Sequence, residues 1–554
     1  MKNIIFILTL SLILLSEIST FAQDSQGFFL DDFQPKMSYN PKYQNCEPPS
    51  VIPTIKVSIN VNDTIAKVSK YIYGNNANIY MTQMVTEPNL IKYIRDLSPK
   101  IIRYPGGNLT NQFFWNEKKG NHPPDVLDSV MINPKMKKSD FWYGMSDDTL
   151  TLSLDNYYLM LKQTQSTGLI CVNFGYSRYG RGPTPVQTAA HLAADWVRYD
   201  KGRTRFWEVG NENYGPWQAG FIIDTTAIKN GQPAKISGEL YGTNFRIFAD
   251  SMRKAAKEIN VDIKLGAVIV ELNKGKSWYN PVESNWNEGF FKTARNAADF
   301  FSIHSYFTPY NENSSPATIL NSSESETRAM MDYMKKMCND YNVQFKPVAL
   351  TEWNIFALHS KQSCSFINGM HAVLVLGELI KNQYGEASRW DLANRYNYGN
   401  DHGMFNWGDE PGVPRWNPRP VYFYMYYFQK FFGNYLINSP VEGNKNVVVY
   451  ASKFKSGQLG IVVVNKDSLD QTISFDLKTF KPGKRYYFYS LTGGKDNGKF
   501  SQCVFVNGVG PDYNTGGPVN NLENIKAFSC LIGKEIKITS PRYSVQYILI
   551  ENQN

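Results

Sequence analysis

Leu169-Ile170-Cys171-Val172-Asn173-Phe174, then Thr188–Arg198, then Arg205-Phe206-Trp207-Glu208-Val209 set the fold. Two short apolar runs flank a segment whose apolar residues recur at three- and four-residue spacing, the pattern of two parallel strands joined by a crossover helix. The same unit repeats outward in both directions. Further strands are predicted at Tyr71–Tyr73, Ile101–Tyr104, Ile263–Ile269, Asp299–His304, Pro347–Thr351 and Ser388–Leu392, and further helices at Glu87–Leu97, Asp155–Gln165, Tyr241–Ile259, Glu326–Tyr341 and Phe366–Asn382. Eight βα units suit a closed barrel better than a doubly wound open sheet, and no Gly-rich phosphate turn follows the first strand. The expected class is therefore α/β, a (β/α)8 TIM barrel.

After about residue 430 the texture changes. Short alternating runs at Val447–Phe454, Leu459–Asn465, Arg485–Ser490 and Tyr543–Ile550 are separated by Gly, Asn, Asp and Lys, which reads as a C-terminal β-sandwich domain. Thr54–Val61 is β-like too and could join that sandwich. The expected division is a signal peptide at 1–22, an N-terminal extension at 23–61, the catalytic barrel at 62–430 and the sandwich at 431–554.

Of 554 residues 42% are apolar and 19% charged, enough to bury a large core and to exclude a disordered chain, a collagen or a coiled coil. The net charge of +9 is spread without blocks, so no nucleic-acid partner is expected. Lys2, the apolar run Ile4–Leu15 and Thr20-Phe21-Ala22 have the form of a cleaved secretory signal, implying a secreted or periplasmic protein. That run is too short to span a bilayer, and no later segment is long and apolar enough. No cysteine follows the expected cleavage site to carry a lipid. The six cysteines show no metal-ligand spacing, and Cys503 and Cys530 could pair after export.

Barrel enzymes place reactive groups at the C-terminal ends of their strands. The fourth strand runs into Trp207-Glu208-Val209-Gly210-Asn211-Glu212-Asn213-Tyr214-Gly215, and the seventh into Leu350-Thr351-Glu352-Trp353-Asn354. A lone Glu at a strand end is ordinarily solvated or ion-paired, but Glu212 and Glu352 on strands four and seven would face each other across the barrel mouth. Glycoside hydrolysis needs that arrangement: one carboxyl holds a proton for the leaving oxygen while the other stays ionised to attack. Asn211 could reach a sugar 2-hydroxyl, and Trp353 could form a pocket wall. His304-Ser305-Tyr306 could bond a carboxylate and help set its ionisation. Arg103 at the second strand could pair with the nucleophile and keep its pKa low. Pro105-Gly106-Gly107-Asn108 then allows a tight turn beneath a bound sugar.

Arg103-Tyr104-Pro105-Gly106-Gly107-Asn108, the Trp207–Gly215 stretch, His304-Ser305-Tyr306 and Thr351-Glu352-Trp353-Asn354, in this order, resemble the retaining glycoside hydrolases of clan A, and most of all the family 51 α-L-arabinofuranosidases. The resemblance covers roughly residues 60 to 425. It implies that Glu212 is the general acid/base and Glu352 the nucleophile, that Asn211 holds the 2-hydroxyl, and that Arg103, His304 and Tyr306 tune the nucleophile. The sequence departs from that family at the first strand, where a Gly-His/Asn-Phe-x-Glu-like stretch gives way to Gly74-Asn75-Asn76-Ala77-Asn78-Ile79-Tyr80, amides without a carboxylate. Asn75, Asn76 and Asn108 remain candidate hydroxyl binders.

Phe113-Phe114-Trp115, Trp217, Tyr306-Phe307 and Trp390 are candidates for stacking on sugar rings, and Trp390 through Met404 would overhang the site. Arg178 and Arg181 are the residues to watch for an acidic glycan. The expected partner is an oligo- or polysaccharide. No cofactor is expected, and the sparse histidines argue against a metal. Two other readings stay open, an endo-acting β-glycanase of the same clan and a non-catalytic glycan-binding protein.

Overall fold

The computed structural model describes residues 25–272, 280–310, 312–358, 361–396, 402–496 and 498–553. The expected signal peptide, 1–22, lies outside them. Eight parallel strands close into a barrel: β1 (Gly74–Asn76), β2 (Ile101–Tyr104), β3 (Thr167–Val172), β4 (Phe206–Val209), β5 (Lys264–Val268), β6 (Phe300–Ser305), β7 (Val348–Trp353) and β8 (Glu386–Arg389), with β8 paired back onto β1.

The first strand differs from expectation. Lys70–Ile72 is a 3-10 turn capped by the Ser69 hydroxyl, and the strand is the polar Gly74–Asn76. Its residues lack the β-branched and aromatic signal that marks a strand in sequence. The helices also begin earlier than predicted, at Pro185 and Pro316, and Pro281–Ala294 and Pro420–Phe431 were not anticipated. Each has proline in its first turn, where the missing N–H costs nothing, so a residue that reads as a breaker is here a start signal.

Alternation along the strands builds the barrel interior in layers. Ile101, Leu169, Phe206, Phe300 and Ala349 form an apolar floor at the N-terminal end, closed by Phe29 and Tyr71 from the N-terminal segment. Two positions further along the same strands stand Arg103, Cys171, Glu208, Ser302 and Thr351. The interior therefore changes from hydrocarbon to hydrogen-bonding groups in one step toward the mouth.

The accessory domain draws on both ends of the chain. A nine-stranded and a four-stranded sheet enclose Val57, Ile59, Val449, Ile461, Val463, Ile473 and Ile548. Ile55–Ile59 runs parallel to Gln471–Leu477 within the smaller sheet. Thr64–Lys67, on the barrel side of the expected boundary, pairs with Tyr435–Ile437 in the larger one. The other face of the large sheet packs on the barrel helices: the Tyr450 hydroxyl donates to Glu378 at 2.9 Å and that of Tyr547 to the Tyr424 carbonyl at 2.7 Å.

Cys530 does not pair with Cys503. Tyr43–Asn45 runs parallel to the 527–529 stretch with Asn45 opposite Ser529, which brings the next residue, Cys46, beside Cys530, and the two form a disulfide with Cα atoms 5.1 Å apart. Cys503 is a buried free thiol. Among the described residues, no helix is long and apolar enough to cross a membrane.

Candidate active site

At β4 the inward alternation delivers Glu208, then Gly210 (φ +92°) reverses the chain; a side chain there would meet the Asn213 Oδ1 at 2.0 Å. Glu212 follows with φ +43°, a left-handed conformation that is costly for a residue other than glycine and recurs at functional sites. Its carboxylate is held from two sides. Trp217 Nε1 donates to Oε2 at 2.8 Å, with Gln218 Nε2 at 3.4 Å, and His304 Nδ1 lies 2.9 Å from Oε1.

Glu352 reaches the same space by a β-bulge. Ile303 pairs with Leu350 but His304 pairs with Glu352, so Thr351 is an extra residue on β7. A bulge re-aims the side chains that follow it. Thr351 and Glu352 both face the interior as a result: Thr351 Oγ1 lies 3.2 Å from His304 Nε2, while Glu352 accepts from the Tyr306 hydroxyl at 2.6 Å and from Arg103 Nη1 at 3.3 Å. One oxygen of Glu212, one of Glu352 and a nitrogen of His304 lie within 4.8 Å of one another. That spacing would admit a cation, yet all four carboxylate oxygens already meet a protein hydrogen-bonding group.

Arg103 is fully buried beneath this pair. It donates to Glu208 (2.7 Å), Asn211 Oδ1 (2.7 Å) and Asn76 Oδ1 (3.0 Å), and more distantly to Glu352. Sequence reasoning missed Glu208, the main counter-charge, which Ser302 also bonds. The signal was present, since Glu208 lies two positions beyond the floor residue Phe206. Gln218 was missed as well; it links Glu212 to Asn108 and accepts from Asn111 at 2.8 Å.

The ionisation pattern differs from expectation. Burial would push His304 down, but Glu352 and Glu212 outweigh it and hold the imidazole above its ordinary range. Burial would raise Glu212, and the bonds from His304 and Trp217 hold it below the ordinary carboxylate range. Glu352 stays above that range, because burial and the Glu212 charge outweigh His304, Arg103 and Tyr306. Arg103 does not keep Glu352 low, since its shortest bonds go elsewhere. His304, expected beside the nucleophile, bonds Glu212 and stands 3.7 Å from Glu352.

Other expected site residues take different places. Asn76 is spent on the main chain of Thr351 and Ser388, and Asn75, on the opposite face of β1, is buried away from the interior. Trp353 is buried among the core residues outside the barrel, since the bulge that turns Glu352 inward turns its neighbour outward. Phe113, Phe114 and Trp115 are core. Arg178 is buried and bonds Gln232 and the carbonyls of Gly220 and Pro233, and Arg181 bonds the Pro124 and Asp125 carbonyls, so neither is arranged for an acidic sugar. Asn108 is exposed at the rim. Trp390 lies against the Gly106-Gly107 turn, where a side chain at Gly107 (φ +65°) would meet its ring at 2.5 Å. The turn is therefore tight beneath an indole, beside Arg103.

The sequence model of a family described as the alpha-L-arabinofuranosidase 1 domain matches residues 93–313, which include Arg103, Asn211, Glu212, His304 and Tyr306. The chain is 22% identical over 291 residues to an intracellular exo-α-(1→5)-L-arabinofuranosidase of Streptomyces lividans, a match covering 50% of this chain and 38% of that protein. It spans less than half the length of the curated relatives it matches. A solved α-L-arabinofuranosidase from Thermotoga maritima, in complex with arabinose, superposes with a TM-score of 0.61 at 18% identity, over 90% of this chain and all of that one. A family 51 α-L-arabinofuranosidase from Bifidobacterium longum gives 0.61 at 15%, with the same coverage. The chain is thus similar to α-L-arabinofuranosidases in part of its sequence and in its fold. The likeness to these solved structures extends over 90% of the chain and is a likeness of fold.

Proposed function

We propose that the protein is an exported, retaining glycoside hydrolase of the α-L-arabinofuranosidase type, acting on a plant or algal polysaccharide by double displacement. The observation that carries this reading is the pair Glu212 and Glu352 at the barrel mouth, one oxygen of each within 4.8 Å of the other, so that both carboxyls can reach one anomeric centre. Glu352, oriented by the Tyr306 hydroxyl, attacks the anomeric carbon as the bond to the leaving oxygen breaks. Glu212 gives that oxygen a proton, which His304 supplies at 2.9 Å. Water then attacks the glycosyl-enzyme, yields its proton to Glu212, which passes it back to His304, and frees Glu352. The Asn211 Nδ2 is buried without a hydrogen-bond partner among the described residues, while its Oδ1 is fixed by Arg103. That leaves an oriented donor for the sugar 2-hydroxyl.

Export is supported by the basic and apolar opening of the sequence and by the Cys46–Cys530 disulfide, a bond of oxidising compartments. The Streptomyces relative is described as intracellular, so export would set this chain apart from it. Hydrolysis of an aryl α-L-arabinofuranoside, arabinan, arabinoxylan, β-glucans and sulfated galactans by the wild type, Glu212→Ala and Glu352→Ala tests the reading. Release of arabinose that Glu352→Ala abolishes supports it; cleavage of a β-glucan alone moves the chain to the endo-acting β-glycanases.

A further inference from the structure

The polar layer beneath the catalytic pair contains two hydroxyls whose protons can be counted. Ser302 on β6 donates to Glu208, and Ser302 Oγ and Thr351 Oγ1 lie 2.5 Å apart. Thr351 Oγ1 also stands 3.4 Å from Glu208 Oε1 and 3.2 Å from His304 Nε2, while His304 Nδ1 faces Glu212 at 2.9 Å. Ser302, Thr351 and Glu208 are all buried.

Each hydroxyl has one proton to donate. Burial would raise Glu208, but the charges of Arg103 and His304 hold it below the ordinary carboxylate range, so it accepts and does not donate. The Ser302 proton is therefore spent on Glu208. The contact between Ser302 and Thr351 then needs the Thr351 proton, because otherwise two sets of lone pairs would face each other at 2.5 Å. With that proton directed away, Thr351 Oγ1 can only accept from His304, and Nε2 must carry a hydrogen. The β-bulge supplies this arrangement, since Thr351 is the extra residue that turns inward one step before Glu352.

We infer that Thr351 is a positioning residue of the acid/base relay: its hydroxyl keeps a hydrogen on His304 Nε2, so that the proton exchanged with Glu212 is the one on Nδ1. In the forward step the Nδ1–H bond of the imidazolium breaks and an O–H bond forms on Glu212, leaving a neutral imidazole that keeps its Nε2–H. The opposite neutral tautomer, with its hydrogen on Nδ1, could not take a proton back from Glu212 at that atom. This inference rests on the hydrolase reading above.

The imidazole is faced by Arg103 from β2, Glu208 from β4, Glu212 from the loop after it, Glu352 from β7 and Glu386 from β8. Thr351→Val changes none of these charges, so its effect reports the lost bond. The test measures kcat/KM against pH for phenyl and dinitrophenyl α-L-arabinofuranosides in the wild type, Thr351→Val, Thr351→Ala and Thr351→Ser. Valine keeps the branched shape without the hydroxyl, alanine serves if valine does not fold, and serine restores the acceptor; circular dichroism reports folding. Loss of the Nε2 partner disfavours the imidazolium. With the phenyl glycoside, whose leaving group needs a proton, the basic limb should move down by about one pH unit in the hydroxyl-free variants and return in Thr351→Ser. The phenyl-to-dinitrophenyl ratio should fall about tenfold in the same variants, a fraction of what a general acid contributes. An unmoved limb and ratio in a folded hydroxyl-free variant overturn the role of Thr351 and leave the hydrolase reading intact. A loss that is equal for both substrates, or that serine does not recover, reports packing and overturns it as well. No cleavage of either substrate by the wild type overturns both.

Discussion

His304 Nδ1 and Glu212 Oε1 stand 2.9 Å apart, and the imidazole lies between the two carboxylates of the pair. In the proposed mechanism the proton needed by the leaving group therefore has a holder that is neither carboxylate. As the proposed nucleophile, Glu352 must ionise against burial and against the negative charge of Glu212.

A pH shift follows. Glu212→Gln removes the charge that raises Glu352, so the nucleophile ionises more easily and the acidic limb of the kcat/KM profile moves to lower pH. The substrate should be a dinitrophenyl α-L-arabinofuranoside, whose leaving group needs little proton assistance. An acidic limb that stays in place, or moves upward, contradicts the electrostatic coupling.

Arg103 and Glu208 are a fully buried ion pair at 2.7 Å. Arg103→Met leaves Glu208 without its cation and is expected to cost about 3–5 kcal/mol in chemical denaturation. Arg103→Met combined with Glu208→Gln should recover part of that loss, because no uncompensated charge remains. A double variant no more stable than the single one would mean that Arg103 acts through packing or through Asn76 and Asn211.

The disulfide joins residues 484 apart in sequence and ties the N-terminal extension to the sandwich. Cys46→Ser should lower stability by about 2–5 kcal/mol and abolish the drop in Tm that reductant causes. Cys503→Ser should leave that reductant sensitivity in place. The opposite pattern would restore the pairing of Cys503 with Cys530.

Much of this architecture is written in local patterns. The strand and helix periods give the barrel, and the position of Glu212 and Glu352 after apolar runs places them at the mouth. The bulge at Thr351 is different, because it arises from how β6 and β7 register against each other and has no local sequence signature. It decides that Glu352 faces inward and that Trp353 does not. Arg178 was misjudged for a related reason: an arginine in a loop looks solvated until the carbonyls that surround it, from residues more than forty positions away, are known. The short strand Gly74–Asn76 escaped notice because its residues suit a polar barrel interior rather than an apolar one. Glu208 was readable from alternation alone, but its neighbour Glu212 drew the chemistry.

The central claim is that Glu212 and Glu352 cleave an α-L-arabinofuranoside with retention. Proton NMR of the first product formed from an aryl α-L-arabinofuranoside tests it most directly. The account predicts that α-L-arabinofuranose is released first and then mutarotates, and that Glu352→Ala releases none. Release of the β anomer first, or unchanged turnover by Glu352→Ala, would contradict it.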